Sequence, residues 1–264
     1  MYEVYALRYA TMPPERSRRE NFLPGMDLHD GHMPLDYYVW VIRGPEGDIV
    51  VDTGFGPEQA AKRGRILIAS PTEMLARIGI DAAEVQHVIL THLHYDHAGT
   101  MSDFPNAQFH LQDAEMAYAT GRPMCHACLS APFNVEDVLE AVRLVYGGRM
   151  TFHNGDAEFA PGITLHRIGG HTGGLQVVRV MTSRGPLVLA SDAFHFSENR
   201  TRRAPFPLVY NVGDMLEGFV RCEALAGGNP DLLIPGHDPD VRRRWPAISA
   251  EEPDILRLDV APIA

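Results

Sequence analysis

Residues 91–99, THLHYDHAG, constrain this chain more than any other part of its sequence. Three histidines and an aspartate stand within six positions, directly after the apolar run VQHVIL. Side chains alternate between the two faces of a strand, so a continuing strand could not direct all four to one point. We therefore predict that the strand ends here and that a loop carries the four residues. Such ligands suit zinc, with manganese, iron or cobalt as alternatives. The four residues are His92, His94, Asp96 and His97.

Three further residues of the same chemical types follow in similar contexts. His171 stands in GGHTGG, Asp192 in LVLASDA and His237 in LIPGHDP. Each falls at the end of a predicted strand or in the turn after it. Glycines beside the two histidines allow the backbone to come close to an ion. The pattern predicts a metal site that several distant segments build together.

Apolar runs and turn residues predict the rest of the architecture. Strands are predicted at EVYALRYA, YYVWVIRG, DIVVDTG, VQHVIL, MTFHNG, ITLHRIGG, LQVVRVMT, PLVLASDA and DLLIPGHDP, with the turn GPEGD joining the second and third. Helices are predicted at PEQAAKRGRILIAS, PTEMLARIGI, DAEMAYATG, VEDVLEAVRLVYGG and VGDMLEGFVRCEALAGG. Two strand-rich halves, each closing with a helix, indicate two stacked sheets with helices outside. No linker divides them, so we expect one domain over residues 1–264.

Composition excludes several classes of protein. The 264 residues, 45% of them hydrophobic, are enough for a sizeable core. A net charge of −11 would repel nucleic-acid phosphates over most of the surface. No apolar run approaches the roughly 18 to 20 residues that span a bilayer, and the first residues lack the pattern of a signal peptide. With only three cysteines, a disulfide framework is not expected, and we predict a cytoplasmic protein without membrane or nucleic-acid partners.

The order of these motifs resembles the metallo-β-lactamase superfamily, over roughly residues 38–240. VVDTG, which contains Asp52, is similar to an early strand motif of that family, whose aspartate supports the metal loop. The resemblance implies an α+β fold, a four-layer αββα sandwich, with two divalent ions. It implies one ion on His92, His94 and His171, a second on Asp96, His97 and His237, and Asp192 as the bridge.

Hydrolysis is the predicted reaction. Two close divalent ions can share a hydroxide, lower its pKa towards neutrality and polarise a carbonyl. HLHYDHAG, GHTGG, SDA and PGHDP resemble the N-acyl homoserine lactonase branch, which implies lactone opening by the bridging hydroxide. Glyoxalase II-like thioesterases and hydrolases of β-lactams or other cyclic esters and amides remain alternatives, because loops determine the substrate. His94 disfavours electron transfer, since di-iron relatives usually carry glutamate there.

A metal-stabilised binding protein is the non-enzymatic alternative. Structural zinc usually takes four protein ligands, whereas two ions that share seven leave positions for water and substrate. We therefore predict an enzyme with two Zn²⁺ ions, manganese, iron or cobalt being possible substitutes. Its expected partner is a small lactone or ester, and the chain is expected to be a monomer or a homodimer.

Asp96 and His195 are the predicted catalytic residues. Lactonases typically carry a tyrosine three residues after the bridging aspartate, where SDAFHF places His195. With an ordinary pKa near about 6.5, this imidazole could donate to the developing oxyanion or protonate the leaving alkoxide. Tyr210 is the alternative donor. Phe22 and Met26 are predicted to contact the substrate from an apolar loop.

An arginine-rich segment follows the predicted bridge. Arg200, Arg202 and Arg203 stand close enough to Asp192 in sequence for one guanidinium to reach the pocket mouth. There it could hold an acidic group of the substrate. A solvated surface is the alternative interpretation.

Overall fold

The computed structural model describes residues 1–45 and 47–263. The strands are β1 (Glu3–Thr11), β2 (Asp36–Gly44), β3 (Gly47–Val51), β4 (Ile66–Leu67), β5 (His87–Ile89), β6 (Gln108–Gln112), β7 (Met150–His153), β8 (Ala157–Ala160), β9 (Ile163–Arg167), β10 (Gln176–Thr182), β11 (Gly185–Ser191), β12 (Leu233–Pro235) and β13 (Ile255–Arg257). The α-helices are α1 (Pro57–Arg63), α2 (Pro71–Ala76), α3 (Tyr95–Ala98), α4 (Asp113–Ala119), α5 (Ala127–Ser130), α6 (Val135–Tyr146), α7 (Ser197–Thr201), α8 (Val212–Leu225) and α9 (Asp240–Arg244). Within these residues, no helix is long and apolar enough to cross a membrane.

The strands form two sheets. The first has the order β13-β1-β2-β3-β5-β6-β7, with β4 paired to β1, and the second has the order β12-β11-β10-β9-β8. The predicted turn GPEGD contains Glu46, which lies outside the described residues, but the flanking strands pair antiparallel with Gly44 opposite Gly47. β3 and β5 are parallel, as are β11 and β12. Parallel strands end at the same edge of a sheet, so the loops after each pair lie side by side.

Alternating side chains of the first sheet enter two different apolar layers. In β1, Val4 packs between the two sheets, whereas the next residue, Tyr5, packs on the helical side. The outer face of the second sheet is covered by α8, whose inward residues recur at helical spacing. These residues are Met215, Gly218, Phe219 and Cys222. The result is the four-layer αββα sandwich that the sequence predicts.

Several segments differ from the sequence prediction, and two of them contribute strands to the first sheet. The helix predicted over PEQAAKRGRILIAS ends at Arg63, because Gly64 adopts a left-handed conformation with φ of 63°. The chain after it forms the short strand β4. The strand β6, QFHLQ, was not predicted, since polar residues interrupt its apolar pattern. One of them, Gln112, is buried and bonds to the backbone of Gly155 and to the side chain of Gln176.

Candidate metal centre

The predicted ligands of the first sheet lie directly beyond β5. His92 and His94 stand on a loop, as expected. Asp96 and His97 lie instead in α3, a single helical turn that begins after His94. The prediction of a loop for all four was therefore only partly correct, because a loop and one helical turn together bring the side chains to one place.

The second sheet supplies the other three predicted ligands. His171 lies in the loop between β9 and β10, Asp192 directly follows β11, and His237 follows β12 after one glycine. That glycine is needed for close packing: a Cβ on Gly236 would lie 2.5 Å from Asp192 Oδ1. All seven predicted ligands are buried.

The seven side chains form two groups whose potential ligand atoms lie within 4.8 Å of one another. Asp192 lies between the groups. Its Oδ2 is 3.1 Å from His171 Nε2, and its Oδ1 is 3.0 Å from His237 Nε2. The two oxygens of one carboxylate therefore face the two groups. The first group is His92, His94, His171 and Asp192, and the second is Asp96, His97 and His237.

Hydrogen bonds at the outer ring nitrogens orient most of these histidines. The Nδ1 atoms of His92, His97, His171 and His237 contact Thr91 Oγ1 at 3.1 Å, Asp52 Oδ2 at 2.7 Å, the Leu208 carbonyl at 2.7 Å and the Asp36 carbonyl at 2.9 Å. Each of these rings therefore presents Nε2 to the centre, the arrangement usual for metal-binding histidines. His94 differs, because its Nδ1 lies 2.9 Å from His171 Nε2 and faces inward.

The buried polar atoms of the cluster indicate whether a metal ion would fit there. His92 Nε2 and His97 Nε2 have no hydrogen-bond partner among the described residues, and neither does Asp192 Oδ1, whose 3.0 Å contact with His237 Nε2 lacks hydrogen-bond geometry. Buried polar atoms in proteins are nearly always hydrogen-bonded, so three together require an explanation. Imidazole nitrogens and carboxylate oxygens are ligands of divalent metals, and a cation between them would satisfy all three. The donor set therefore fits a metal centre.

Protonation in the cluster follows from burial and charge. Burial lowers the pKa of His92 and His94 well below the ordinary value, which keeps them in the neutral, ligating form. Burial also opposes a charged His97, but nearby carboxylates, Asp192 first, outweigh it and raise its pKa. Burial raises the pKa of Asp192, yet the histidines around it, His195 first, hold it well below the ordinary value. Metal uptake is thus coupled to proton release.

Asp52 supports the metal loop from behind. It accepts hydrogen bonds from Thr91 N at 2.7 Å and Thr91 Oγ1 at 2.8 Å, besides its contact with His97. Thr91 Oγ1 in turn lies 2.9 Å from Ser191 Oγ. Asp52 and Ser191 both adopt left-handed backbone conformations, with φ of 63° and 46°. Such strain is uncommon for non-glycine residues and is typically found at functional sites.

Glu115 is a supporting residue that the sequence analysis did not single out. Its buried carboxylate accepts hydrogen bonds from Leu93 N at 3.0 Å, Thr172 Oγ1 at 2.6 Å and Gly174 N at 2.9 Å. It therefore ties the loop after β5 to the loop that carries His171. The one sequence feature that indicates this role is the position of an acidic residue on the apolar face of α4.

We expect Glu115→Gln to lower the free energy of unfolding by about 1–3 kcal/mol, because the amide cannot accept all three hydrogen bonds. It should also weaken metal retention, since two ligand loops lose their connection. Urea unfolding and dialysis against a chelator would measure the two effects. Glu217→Gln, at an exposed position of α8, is the matched control. Unchanged stability and metal retention would contradict the role of Glu115.

A cavity of about 510 Å³ opens beside the cluster. Phe22 and His195, two of the predicted substrate-binding residues, line it. Met26 and Tyr210 do not. Met26 is 42% exposed, and Tyr210 is 47% exposed with its ring packed 4.7 Å from that of Tyr118. The backbone N–H of Tyr210 donates to carbonyls of the loop before β10, and this places the ring outside the cavity lining.

His195 lies between the cluster and the cavity wall. Its ring stacks on Phe206 at 3.6 Å between centroids, and its Nε2 is 3.1 Å from Asp192 Oδ2. Burial lowers its pKa to about 3, so the ring is neutral at neutral pH. This differs from the ordinary pKa expected from sequence. With Asp192 and His237, it also forms a third group of possible ligands.

The arginines after the predicted bridge do not reach the cavity. Arg200 and Arg203 pair with Glu223 at 2.7 and 2.8 Å, and Arg202 pairs with Asp27 at 2.6 Å. The segment turns away from the centre in α7, so carboxylates of the protein neutralise all three. The hypothesis that they bind an acidic substrate is therefore not supported.

Comparisons with known proteins agree with this geometry. The family model described as "Metallo-beta-lactamase superfamily" matches residues 33–237. An N-acyl homoserine lactonase from Bacillus sp is 30% identical over 228 residues, covering 79% of this chain and 84% of that protein. A probable metallo-hydrolase of Mycobacterium tuberculosis is 26% identical over 240 residues, covering 77% and 75%. An N-acyl homoserine lactone hydrolase, solved with N-hexanoyl-L-homoserine at its catalytic metal centre, superposes with a TM-score of 0.74 at 22% identity, covering 91% and 95%. This chain therefore belongs to the metallo-beta-lactamase superfamily and is a metal-dependent hydrolase.

Proposed function

We propose that the protein opens the ring of an N-acyl homoserine lactone or a related small lactone, using two divalent ions, with zinc as the first choice. The position of Asp192 carries this proposal, since its two oxygens face two separate ligand groups. The 30% identity to a lactonase supports the choice of substrate. Because both sheets supply ligands, we propose that residues 1–264 act as one domain.

The seven predicted ligands would hold the ions, in the two groups described above. Bound there, the ions would lower the pKa of a water molecule and polarise the ester carbonyl. Asp96 faces the cavity, and its Oδ2 lies 3.7 Å from His237 Nε2. In this position the carboxylate can accept a proton from the attacking water and return it to the leaving alkoxide.

The cavity wall would hold the acyl group. Phe22, Leu35 and Phe206 provide apolar surface beside the cluster. Apolar walls with a few polar groups are typical of small-molecule sites. His195, which is neutral and contacts Asp192, would position that carboxylate rather than exchange protons with the substrate.

A screen of the metal-reconstituted protein against lactones, thioesters and β-lactams tests the proposal. We expect lactones to show the highest kcat/KM, and a chelator to abolish the activity until zinc is added back. A higher kcat/KM for thioesters would assign the site to the thioesterase alternative. Binding of a lactone without turnover in the zinc-loaded protein would contradict the enzymatic proposal.

A further inference from the structure

The cavity mouth has an excess of positive charge. Its lining includes Arg16, Arg19, Arg63 and Arg65, whereas Glu20 is the one acidic side chain of the described lining outside the metal cluster. The whole chain carries a net charge of −11. Four arginines at one opening therefore depart from the overall charge of the molecule.

Arg65 has unused hydrogen-bonding capacity. Its Nε donates to Tyr95 Oη at 3.0 Å, and its Nη1 donates to the Arg63 carbonyl at 2.8 Å. In the described chain, no residue accepts a hydrogen bond from Nη2 and no carboxylate pairs with this side chain. The other arginines discussed above, Arg200, Arg202 and Arg203, all have carboxylate partners. Among the described residues, Arg65 is thus a half-buried cation that lines the cavity without an ion-pair partner.

The neighbouring arginines add to the charge but have engaged donors. Arg63 stacks over the Tyr95 ring at 3.9 Å and donates to the carbonyls of Ala131 and Phe133. Arg16 pairs with Glu20 at 2.9 Å. Burial lowers the pKa of Arg16, and the charge of Glu20 opposes this shift. Arg16 and Arg65 line the same cavity, so an anion bound there would reduce the repulsion between the two guanidinium groups.

Two tyrosines connect Arg65 to the metal cluster. Tyr95 Oη, which accepts from Arg65, donates to Tyr37 Oη at 3.3 Å. The Tyr37 ring lies 5.1 Å from the His237 ring, between centroids. A substrate with its lactone ring at the metal cluster would therefore extend its acyl chain along these tyrosines towards Arg65.

We propose that Arg65 binds a carboxylate at the far end of the acyl chain, so that the preferred substrates are lactones with an acidic acyl group. This inference rests on the proposed lactonase function. The free Nη2 and the adjacent Nη1 would donate to the carboxylate oxygens, a geometry for which guanidinium is well suited. Phe22 and Leu35 would contact the methylene groups between the two ends.

Kinetics of two matched substrates test the proposal. N-glutaryl-homoserine lactone carries a terminal carboxylate, and N-hexanoyl-homoserine lactone has a neutral chain of similar length. We expect wild-type protein to prefer the glutaryl substrate and Arg65→Gln to lower kcat/KM for it by about 10- to 100-fold, mainly through KM. The hexanoyl substrate should change little. Arg65→Lys should fall between the two proteins, because it keeps the charge but loses the paired donors.

Arg143→Gln is the matched control, since it removes an equally charged side chain from the exposed face of α6. It should leave both substrates unaffected. Equal losses for both substrates in Arg65→Gln would overturn the proposal, and so would a wild-type preference for the hexanoyl chain.

Binding of inert analogues separates this inference from the lactonase proposal. The γ-lactams that correspond to the two substrates resist hydrolysis, and calorimetry with the zinc-loaded protein gives their affinities. Tighter binding of the glutaryl lactam by wild-type protein, lost in Arg65→Gln, would support the carboxylate site even if neither lactone were hydrolysed. Equal affinities for the two lactams would refute the site even if both lactones were good substrates.

Discussion

Asp192→Ala should lose at least one metal ion per chain and lower kcat/KM by about 10³-fold or more, since the proposed shared ligand would support both ions and the charge they stabilise. The wild-type protein should hold close to two divalent ions. The expected coupling of the two losses follows from the carboxylate geometry, in which Oδ1 faces His237 and Oδ2 faces His171. Mass spectrometry of bound metal, together with lactone kinetics, would measure both quantities.

Two variants serve as controls for this result. Asp192→Asn keeps the shape of the side chain but removes its charge, so it separates lost metal affinity from a packing defect. Asp240→Ala removes a half-exposed carboxylate that pairs with Arg243 and should retain both ions. A fully active wild-type protein with a single ion would exclude the shared-ligand proposal.

His195→Phe should keep both ions but lower kcat by about 10- to 100-fold, with little change in KM, because Asp192 would lose a contact that positions it. A phenyl ring preserves the stacking on Phe206, so the variant removes only the nitrogen atoms. The lost contact is the one between Nε2 and Asp192 Oδ2 at 3.1 Å. Steady-state kinetics and metal analysis on the same preparation would separate a catalytic effect from loss of an ion.

The matched control is His126→Phe, at an exposed histidine that does not line the cavity. Its kcat should equal that of the wild-type protein. If His195→Phe lost one ion, His195 would be a metal ligand, in agreement with its membership of the third ligand group. If kcat stayed at the wild-type value with both ions present, His195 would have no role in the reaction.

The sequence was informative where the candidate site is built from short motifs. His92, His94 and His97 share one short motif, and His171 and His237 each stand beside glycines at the end of a predicted strand. These contexts predicted a common metal site, and the resemblance to the metallo-β-lactamase superfamily implied how the ligands are grouped. Most strands of the two stacked sheets were also predictable, because they are continuous apolar runs bounded by turn residues.

Residues that act through long-range contacts were not predictable in this way. Glu115 looks like an ordinary helical glutamate until Thr172, which is distant in sequence, donates to it. The sequence predicted a helix that includes Arg65. Because α1 ends at Arg63, Arg65 lies beyond the helix and lines the cavity. Tyr210 has suitable chemistry, but the backbone bonds around it direct its ring elsewhere. Pair distances of this kind depend on the whole fold, which single-sequence patterns do not encode.

The division of the ligands between the two sheets has a consequence for biosynthesis. Residues 92–97 leave the ribosome roughly 140 residues before His237, so the first ligands are exposed for on the order of 10 s before the last one is made. During this time the first sheet alone offers only four of the seven proposed ligands. We therefore expect high-affinity metal uptake only after the second sheet has been synthesised and has docked. Retention of metal would then indicate that both sheets have folded, and a truncated chain that ended before β11, which would lack Asp192 and His237, should bind metal more weakly.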